Sequence, residues 1–406
     1  MAAATSSAWA ASPAGTRSWT RTPTWSRSGT SSWPPEPLPH TRNFSPPQLN
    51  HPTPRSIPMN LSSLRRVALS TVSLASALAC LPALAQSSVT LYGAVGLDVV
   101  SASKVYDGAT SKSLLKLDDN GIVNSRIGFK GTEDLGGGLK GIFGLESSIS
   151  PDTGKTNPNA FWNRNAFVGL SGDLGTLKLG HQWNVADDYL CGYFVCAYYS
   201  PFLMNGYYAI SDYYDNVIKY TSPNIGGFEG AVMYSLGEVS GKRSAGQKTQ
   251  IALNHAAGPF AAAVMGFSEK DKAGTGLTNT LYAGGLSYDF GVAKARLGLA
   301  SAEVKYGTVY EGKLIDVGVD VPVSAEAAVS ADYVLNDKKA SKDDTSFLRL
   351  RGSYALSKRT SLNSNLIFLK NSGNANFAFY SNTGTNFTGQ AGQKQTVLTV
   401  GVTHAF

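Results

Sequence analysis

The chain has 406 residues, of which 42% are apolar and 16% are charged, and its formal net charge is +7. That excess lies before residue 86, because residues 1–85 contain seven arginines and a single acid, Glu36. From residue 86 onward, 28 basic residues (35 less 7) face 27 acidic residues (28 less 1). This part of the chain lacks the basic footprint that nucleic-acid binding requires, so we expect no nucleic-acid partner.

Residues 1–58 show no pattern that predicts a fold. They are rich in Ser, Thr, Pro and Arg with scattered Trp, and they have neither a helical nor a strand period. Such a composition cannot bury enough apolar surface to offset the entropy of ordering. We interpret 1–58 as an untranslated or disordered extension, with translation starting at Met59; a targeting or nucleic-acid-binding arm is the alternative.

A secretory signal peptide is predicted at 59–85. Arg65 and Arg66 precede an apolar run at 67–81, and Pro-Ala-Leu-Ala at 82–85 forms an A-x-A cleavage site before Gln86. Cys80 follows a sequence that only weakly resembles a lipidation site. No other segment approaches the roughly 18 apolar residues of a membrane-spanning helix. The mature protein is therefore expected to span 86–406 and to be exported.

The mature segment is a succession of short strands with period 2. In 89–99, Val89, Leu91 and Val99 share one face with Val95 and Leu97, whereas Thr90, Tyr92 and Asp98 share the other. Hairpins are predicted at 125–146 with a turn at 136–138, at 164–182 with a turn at 171–175, at 283–304 with a turn at 291, and at 347–369 with a turn at 357–359.

Short turns alternate with longer polar stretches, which fall at 104–120, 150–163, 238–248, 268–279, 336–346 and 371–394. This asymmetry is typical of outer-membrane barrels, whose periplasmic turns are short and whose external loops are long. About 16 strands of roughly 20 residues each, connections included, would enclose an aqueous channel. The fold class is therefore expected to be all-β, a 16-stranded antiparallel transmembrane β-barrel.

Five blocks of this sequence resemble the general diffusion porins of Gram-negative outer membranes, in particular the beta-proteobacterial branch. The blocks are SRIGFKGTEDLGGGLKGIFGLE (125–146), RNAFVGLSGDLGTLKLGHQ (164–182), DNVIKYTSPNIGGF (215–228), YALSKRT (354–360) and VGVTHAF (400–406). The resemblance covers essentially all of 86–406. It implies passive diffusion of ions and small hydrophilic solutes through a homotrimer of 16-stranded barrels embedded in outer-membrane lipid.

The resemblance also implies that the third external loop, about 183–214 here, folds into the barrel and narrows the pore. Its acids would face wall arginines and create a transverse field that selects solutes by charge and size. The implied constriction residues are Arg126, Arg164, Lys178, His181, Asp187, Asp188 and Asp212. Strand alternation places Arg126 on the polar face of its strand. Arg164 falls on the same face as the apolar Val168 and Leu170, so only the resemblance implies that its side chain points into the pore.

Arg349 and Arg351 alternate inward and are pore-wall candidates, although most inward charges of a wide barrel are simply solvated. Two positions depart from the family pattern, since His181 and Tyr213 stand where arginines are usual. We expect weak ion selectivity near pH 7.5, which moves toward anions as His181 gains a proton below about pH 6.

The constricting loop contains ten aromatic residues: Tyr189, Tyr193, Phe194, Tyr198, Tyr199, Phe202, Tyr207, Tyr208, Tyr213 and Tyr214. Either they form a stacking track for a sugar or aromatic solute, which would make the channel substrate-selective, or they pack the loop against the wall and trimer neighbours. Cys191 and Cys196 are the only cysteines after residue 85. An even pair in an exported protein favours a disulfide.

No enzymatic motif is found in the mature segment. Its three histidines, His181, His255 and His404, are isolated in the sequence, and it lacks H-E-x-x-H, C-x-x-C and phosphate-binding glycine motifs. We therefore expect no enzyme, no metal and no cofactor. A barrel-borne hydrolase, a surface adhesin and a soluble carbohydrate-binding sandwich are the other classes considered. In the resembling family the terminal aromatic, here Phe406, is read by the barrel-assembly machinery.

Overall fold

The computed structural model describes residues 88–119, 124–196, 213–307, 309–339, 341–379 and 387–406. Within these ranges the chain forms strands and one short helix, α1, at Val185–Leu190. The strands are β1 (Ser88–Tyr106), β2 (Ser111–Asp119), β3 (Arg126–Gly136), β4 (Leu139–Ser150), β5 (Lys155–Thr156), β6 (Asn165–Gly172), β7 (Gly175–Trp183), β8 (Tyr213–Thr221), β9 (Phe228–Ser235), β10 (Lys248–Ala257), β11 (Phe260–Lys270), β12 (Thr278–Asp289), β13 (Lys294–Val304), β14 (Tyr310–Pro322), β15 (Ala327–Lys338), β16 (Thr345–Ala355), β17 (Thr360–Asn371), β18 (Ala378–Phe379), β19 (Phe387–Thr388) and β20 (Lys394–Ala405).

The wall is a closed antiparallel barrel of sixteen strands. β2 and β3 pair in succession with the same edge of β1 and together make one interrupted barrel strand, while the two-residue strands β5, β18 and β19 lie outside the wall. The other edge of β1 pairs with β20 from Ala94↔Ala405 to Ala102↔Val397, which closes the barrel. The predicted fold class is confirmed.

Polar and apolar side chains alternate along the wall, as the sequence predicted. On β16, Leu348 and Leu350 are exposed, whereas Arg349 between them is buried. On β20, Leu398, Val400 and Val402 are likewise exposed. A face of exposed leucine and valine around a closed barrel is suited to lipid, and the opposite face lines the interior.

An aromatic girdle lies on the outside of the barrel at the end with short turns, along β8, β9, β11, β12, β16 and β20. Its members lie at the turn ends of their strands and are all exposed: Tyr220, Phe228, Phe260, Tyr288, Phe290, Tyr354 and Phe406. Aromatic rings favour the boundary between hydrocarbon and water, so this girdle marks the periplasmic edge of the membrane-spanning wall.

The predicted turn at 136–138 is present, and Gly136, Gly137 and Gly138 all have positive φ angles of 62° to 84°. The predicted polar loop at 104–120 is wrong over most of its length, because 111–119 form β2 and pair with β1. Leu115 and Leu117 alternate with Lys116 and lie exposed on the outer face. The Lys and Ser content of this segment indicated a loop, but its backbone pairs with β1 and is therefore held in the extended conformation of a strand.

The buried apolar residues lie inside the barrel, toward the end with long loops. Side chains such as Val100, Leu314 and Ile367 from the wall belong to one buried cluster with Val185 and Leu190 of α1. Among the described residues, no helix is both long enough and apolar enough to cross a membrane. The interior packing therefore places α1 and residues 191–196 against the inner wall.

Candidate pore constriction

The connection between β7 and β8 begins with α1. The side chain of Asn184 caps the helix by accepting a hydrogen bond from the backbone N–H of Asp187, at 2.8 Å. Asp187 and Asp188 stand in the first turn, where carboxylates are favoured by the unpaired N–H groups of the helix N-terminus. This local sequence explains why the chain leaves β7 as a short helix.

Hydrogen bonds at both ends of residues 185–195 attach this connection to the inner wall. The Val185 N–H donates to Gln250 Oε1 of β10 at 2.8 Å, and the Tyr189 hydroxyl donates to Glu229 Oε1 of β9 at 2.7 Å. Farther along, the Val195 N–H donates to Asp316 Oδ2 of β14 at 2.6 Å. Ile315 and Val317, the neighbours of Asp316 along β14, are exposed on the outer face, so Asp316 itself points into the barrel. Residues 185–195 therefore extend across the interior from β9 to β14.

Two glycines of the wall make room for aromatic side chains of the connection. Gly285 on β12 and Gly298 on β13 are directly opposite each other. A Cβ atom at Gly285 would lie 2.3 Å from Tyr193 Cβ, and one at Gly298 would lie 2.6 Å from Phe194 Cε1. Only glycine at both positions permits this close approach of the connection to the wall.

Cys191 and Cys196 are joined by a disulfide, with their Cα atoms 5.3 Å apart. The bridge closes a short ring directly after α1, and Val195, which donates to Asp316, lies within that ring. The disulfide therefore constrains the backbone only within the part of the connection that crosses the interior.

One charged group on the wall, which we call the Glu146 cluster, consists of Arg126, Glu146 and Arg164. Arg164 Nε donates to Glu146 Oε1, and Arg126 Nε lies 3.6 Å from Glu146 Oε2. Arg126 of β3 and Glu146 of β4 lie on the same face of the paired strands, because Glu146 is opposite Gly128. The structure thus brings Arg126 and Arg164 together through an acid that was not among the predicted site residues.

Arg164 is 2% exposed and lies against aromatic rings. Its guanidinium carbon is 5.5 Å from the centroid of Trp183 and 5.6 Å from that of Tyr213, and these two rings are 3.7 Å apart. The fixed planar guanidinium suits stacking of this kind. Although its strand parity indicated the outer face, Arg164 precedes β6 at a bend, which frees its side chain from that alternation.

His181 stacks on Tyr213 with a centroid distance of 5.6 Å. Its Nδ1 lies 2.6 Å from Asp215 Oδ1, and its Nε2 lies 3.0 Å from the backbone oxygen of Asn163. The two positions that depart from the family pattern are therefore neighbours. A protonated His181 would have a carboxylate directly beside it.

Asp188 has a different partner from the one expected. Instead of a wall arginine, Lys219 of β8 reaches it, with Nζ 2.8 Å from Asp188 Oδ2 and 2.8 Å from the backbone oxygen of Trp183. Arg126 and Arg164 pair with Glu146 instead, and the cation that pairs with Asp188 is Lys219. Lys178 forms no ion pair with any residue that the structure describes, and its Nζ lies 4.8 Å from the centroid of Phe167.

A second charged group, the Asp332 cluster, consists of Arg296, Asp320, Asp332 and Arg349 on β13 to β16. Arg296 lies 2.7 Å from Asp320 and 2.5 Å from Asp332, and Arg349 lies 2.8 Å from Asp332. The Asp332 side chain is 0% exposed. Arg349 is thus buried in an ion network, and its neighbour Arg351 is half-buried.

The two clusters lie on opposite walls. Seven barrel strands separate β4 from β13 in each direction, namely β6 to β12 one way and β14 to β17, β20, β1 and the β2/β3 strand the other. Glu146, Asp316 and Asp332 were missed because each looks like an ordinary inward acid in its own strand. An inward acid beside an inward arginine on a neighbouring strand is the signal that could have found Glu146 and Asp332. Asp316 stands opposite Gly298 and Val334, so its partner Val195 could not be found in this way.

Asp212 and five of the ten aromatic residues of the loop, Tyr198, Tyr199, Phe202, Tyr207 and Tyr208, lie outside the described residues. The other five, Tyr189, Tyr193, Phe194, Tyr213 and Tyr214, are buried. These five pack the connection against the wall and do not present an open stacking surface. Among the described residues, no group of three or more His, Cys, Asp or Glu could hold a metal ion.

A closed barrel with an apolar outer face, a charged interior and a segment crossing that interior defines a membrane channel. The Gram-negative porin family matches residues 70–375. The chain is 34% identical to outer membrane porin protein 32 of Delftia acidovorans over 344 residues, which are 80% of this chain and 95% of that protein. It is 32% identical to the major outer membrane protein P.IB of Neisseria lactamica over 211 residues, 50% of this chain and 59% of that protein.

Among solved structures, the anion-selective porin from Comamonas acidovorans superposes with a TM-score of 0.68 at 30% identity, covering 79% of this chain and all of that one. Salmonella typhi OmpF, with a TM-score of 0.56 and 15% identity over 78% of this chain and 97% of that one, shares the fold. The chain belongs to the Gram-negative porin family, in its beta-proteobacterial branch. It is an outer-membrane channel for passive diffusion, as the sequence predicted.

Proposed function

We propose that the connection between β7 and β8 forms the constriction of this pore, and that the channel is only weakly ion-selective. The observation that supports the proposal is the attachment of residues 185–195 to β9, β10 and β14 across the interior. A segment held against several wall strands narrows the path, and the charges beside it act on every ion that passes.

Charge pairing supports weak selectivity. The arginines of the Glu146 cluster share one glutamate, Lys219 is paired with Asp188, and the Asp332 cluster is formally neutral. Arg126 has a side chain 16% exposed, so it is the cation of the Glu146 cluster that acts most directly on the pore. We therefore expect no strong preference for anions or cations near pH 7.5, although Lys178 adds a positive charge beside the constriction.

Gly285→Ala tests whether the connection constricts the pore. The added Cβ would collide with Tyr193 Cβ, an atom close to the backbone that cannot rotate away, so the segment must shift. We expect single-channel conductance in planar bilayers to change markedly or to become noisy. Gly266→Ala is the matched control, because its Cβ would lie at an ordinary 3.7 Å from Tyr282. Equal conductance in both variants would argue against the constriction.

We further propose a homotrimer that diffuses small hydrophilic solutes and ions. OmpT from Vibrio cholerae, which shares the fold, has been solved in a trimer form. Bilayer insertions should raise conductance in groups of three equal steps. Insertions that give isolated single steps, together with a monomeric mass in detergent, would contradict the trimer.

We propose that Phe406 is the recognition signal for the barrel-assembly machinery. It is exposed and ends the strand that closes the barrel, where Gly93 exchanges two backbone hydrogen bonds of 3.1 Å with it. Deleting Phe406 should lower the yield of folded protein in the outer membrane. A matched Phe290→Ala variant of the same girdle should fold normally; unchanged yield on deleting Phe406 would refute the role.

For the N-terminal part we propose removal of residues 59–85 as a signal peptide and the absence of 1–58 from the mature protein. Mass spectrometry of the outer-membrane form should then give Gln86 as its first residue. Peptides from 1–58 in that fraction would overturn both statements.

A further inference from the structure

The disulfide between Cys191 and Cys196 has one accessible sulfur and one buried sulfur. Cys191 is half-buried and Gly192 beside it is exposed, whereas Cys196 is only 6% exposed. Among the described residues, no atom lies within 4 Å of the position that a Cβ atom on Gly192 would occupy. The sulfur of Cys191 is therefore the one that a molecule in the barrel interior can reach.

The other side of the ring faces the wall. Tyr193 and Phe194 pack against glycines of β12 and β13. The Val195 N–H donates to Asp316 of β14, and these three consecutive residues of the ring are all buried. Because they turn toward the wall, the opposite side of the ring, at Cys191, faces the open interior through which solutes pass.

One carboxylate lies beside the accessible sulfur. Asp187 Oδ1 is 3.4 Å from Cys191 Sγ. Asp188 is neutralised by Lys219, whose Nζ lies 2.8 Å from its carboxylate, and Asp316 contacts the wall side of the ring and is 1% exposed. A molecule that approaches Cys191 from the interior therefore meets the negative charge of Asp187, which attracts cations and repels anions.

We propose that this disulfide is a thiol-exchange site inside the pore, where small thiols react at Cys191 and cationic thiols react faster than anionic ones. The proposal rests on the constriction proposed above, since a solute that passes a narrow segment comes close to its exposed atoms. Exchange of a disulfide depends on access to the sulfur that is attacked, and Cys191 alone of the pair provides that access.

The exchange balances with the thiol as the only reductant. The thiolate attacks Cys191 Sγ, the S–S bond breaks, and a mixed disulfide forms on Cys191. Cys196 leaves as a thiolate and takes up the proton that the incoming thiol gave up. A second thiol then attacks the mixed disulfide, which releases the disulfide of the small thiol and leaves two cysteine thiols. The first step adds a group to the constriction and opens the ring, so permeability should change.

The folded protein in detergent tests the site with a cationic, a neutral and an anionic thiol, namely cysteamine, mercaptoethanol and thioglycolate. Acid-quenched samples are followed by mass spectrometry, and each rate is divided by the rate of the same thiol with hydroxyethyl disulfide, which removes differences in nucleophilicity. A unit charge about 4 Å from a carboxylate changes a rate roughly fivefold even in water. Normalised cysteamine should therefore react at least about fivefold faster than thioglycolate. The mixed disulfide should be on Cys191, with Cys196 open to alkylation.

Two acid variants test the role of charge. Asp187→Asn should bring the ratio of the two normalised rates close to one. Asp173→Asn removes an exposed carboxylate from the turn between β6 and β7, far from the ring along the barrel, and should keep the ratio of the parent. An unchanged ratio in Asp187→Asn would overturn the proposed selectivity.

The single variants Cys196→Ser and Cys191→Ser test accessibility without an intact bridge. The remaining thiol of Cys196→Ser should be alkylated in the folded protein much faster than that of Cys191→Ser, and equal rates would contradict the site. Two further outcomes would overturn it: no exchange in folded protein under conditions that fully reduce the unfolded chain, or rapid reduction by thioredoxin, a dithiol protein too large to enter the barrel.

Conductance separates this proposal from the constriction on which it rests. Small thiols should change the single-channel conductance of the parent and leave that of Cys191→Ser/Cys196→Ser unaltered. Exchange seen by mass without any change in conductance would refute a constriction at this segment while supporting the exchange site.

Discussion

The two charged clusters of the inner wall are built from the same side chains but are balanced differently. In the Glu146 cluster two arginines share one glutamate, which leaves one formal positive charge beside the constricting segment. In the Asp332 cluster two arginines face two aspartates, and the sum is zero. An unbalanced cluster acts on passing ions, whereas a balanced and buried one holds neighbouring strands together.

The largest effect is expected when the balanced cluster loses its central acid. Asp332→Asn leaves Arg296 and Arg349 buried without their shared carboxylate, and breaking a buried pair in this way costs about 3–5 kcal/mol. The urea midpoint of the folded barrel in detergent should fall accordingly. Asp320→Asn is the control, because Asp320 has a side chain 43% exposed and, among the described residues, forms an ion pair only with Arg296. Equal losses in the two variants would show that Asp332 is not the centre of the network.

Ion selectivity should respond to the unbalanced cluster and much less to the balanced one. Arg126→Gln removes a unit charge whose energy at a few ångströms is about 1 kcal/mol even in water. The ratio of anion to cation permeability should therefore fall roughly fivefold and the reversal potential should move toward cations. Asp188→Asn should move it toward anions.

Arg349→Gln and the exposed turn variant Arg359→Gln serve as the comparison. Arg359 lies in the turn between β16 and β17, outside the barrel wall. Both should change the reversal potential far less than Arg126→Gln in a salt gradient across a planar bilayer. A response to Arg349→Gln as large as that to Arg126→Gln would end the distinction between the clusters.

A smaller effect is expected from pH. Imidazole groups ordinarily gain a proton near pH 6.5, and a positive His181 would make the constriction more cationic, so selectivity should move toward anions as pH falls through about 6. Asp215 offsets part of that charge, because its carboxylate lies 2.6 Å from His181 Nδ1. Because an aspartate is ordinarily ionised on both sides of pH 6, Asp215→Asn should move selectivity toward anions at either pH, whereas His181→Asn should abolish the pH-dependent shift. A shift that persists in His181→Asn would assign the titration to another group.

The smallest effect on folding is expected from the disulfide, because it closes only the short ring of residues 191–196 inside the barrel. Cys191→Ser/Cys196→Ser should lower the free energy of unfolding by no more than about 2–3 kcal/mol. The local shape of the segment should loosen, which single-channel current noise would report. Thiol labelling of the unfolded, unreduced parent should find no free cysteine, and two labels per chain would contradict the bridge.

The alternation of apolar and polar residues was sufficient to predict the barrel, because a strand between lipid and water needs one apolar face. It placed Leu348 and Leu350 outside and Arg349 inside without any tertiary information. Composition was a poorer guide than alternation, because the polar content of 104–120 predicted a loop where the structure has a strand. The Lys-rich residues 111–119 continue as a strand because β1 is long enough to pair with them.

The sequence by itself determined the class of protein, the strand faces and the residue types available inside the pore. The tertiary structure decided which charges meet. Glu146, Asp316 and Asp332 are separated from their partners by between 17 and 121 residues along the chain. Strand period fixes only the face on which a side chain lies. Its partner depends on strand register, and, for Arg164, on a bend that releases the side chain from the alternation.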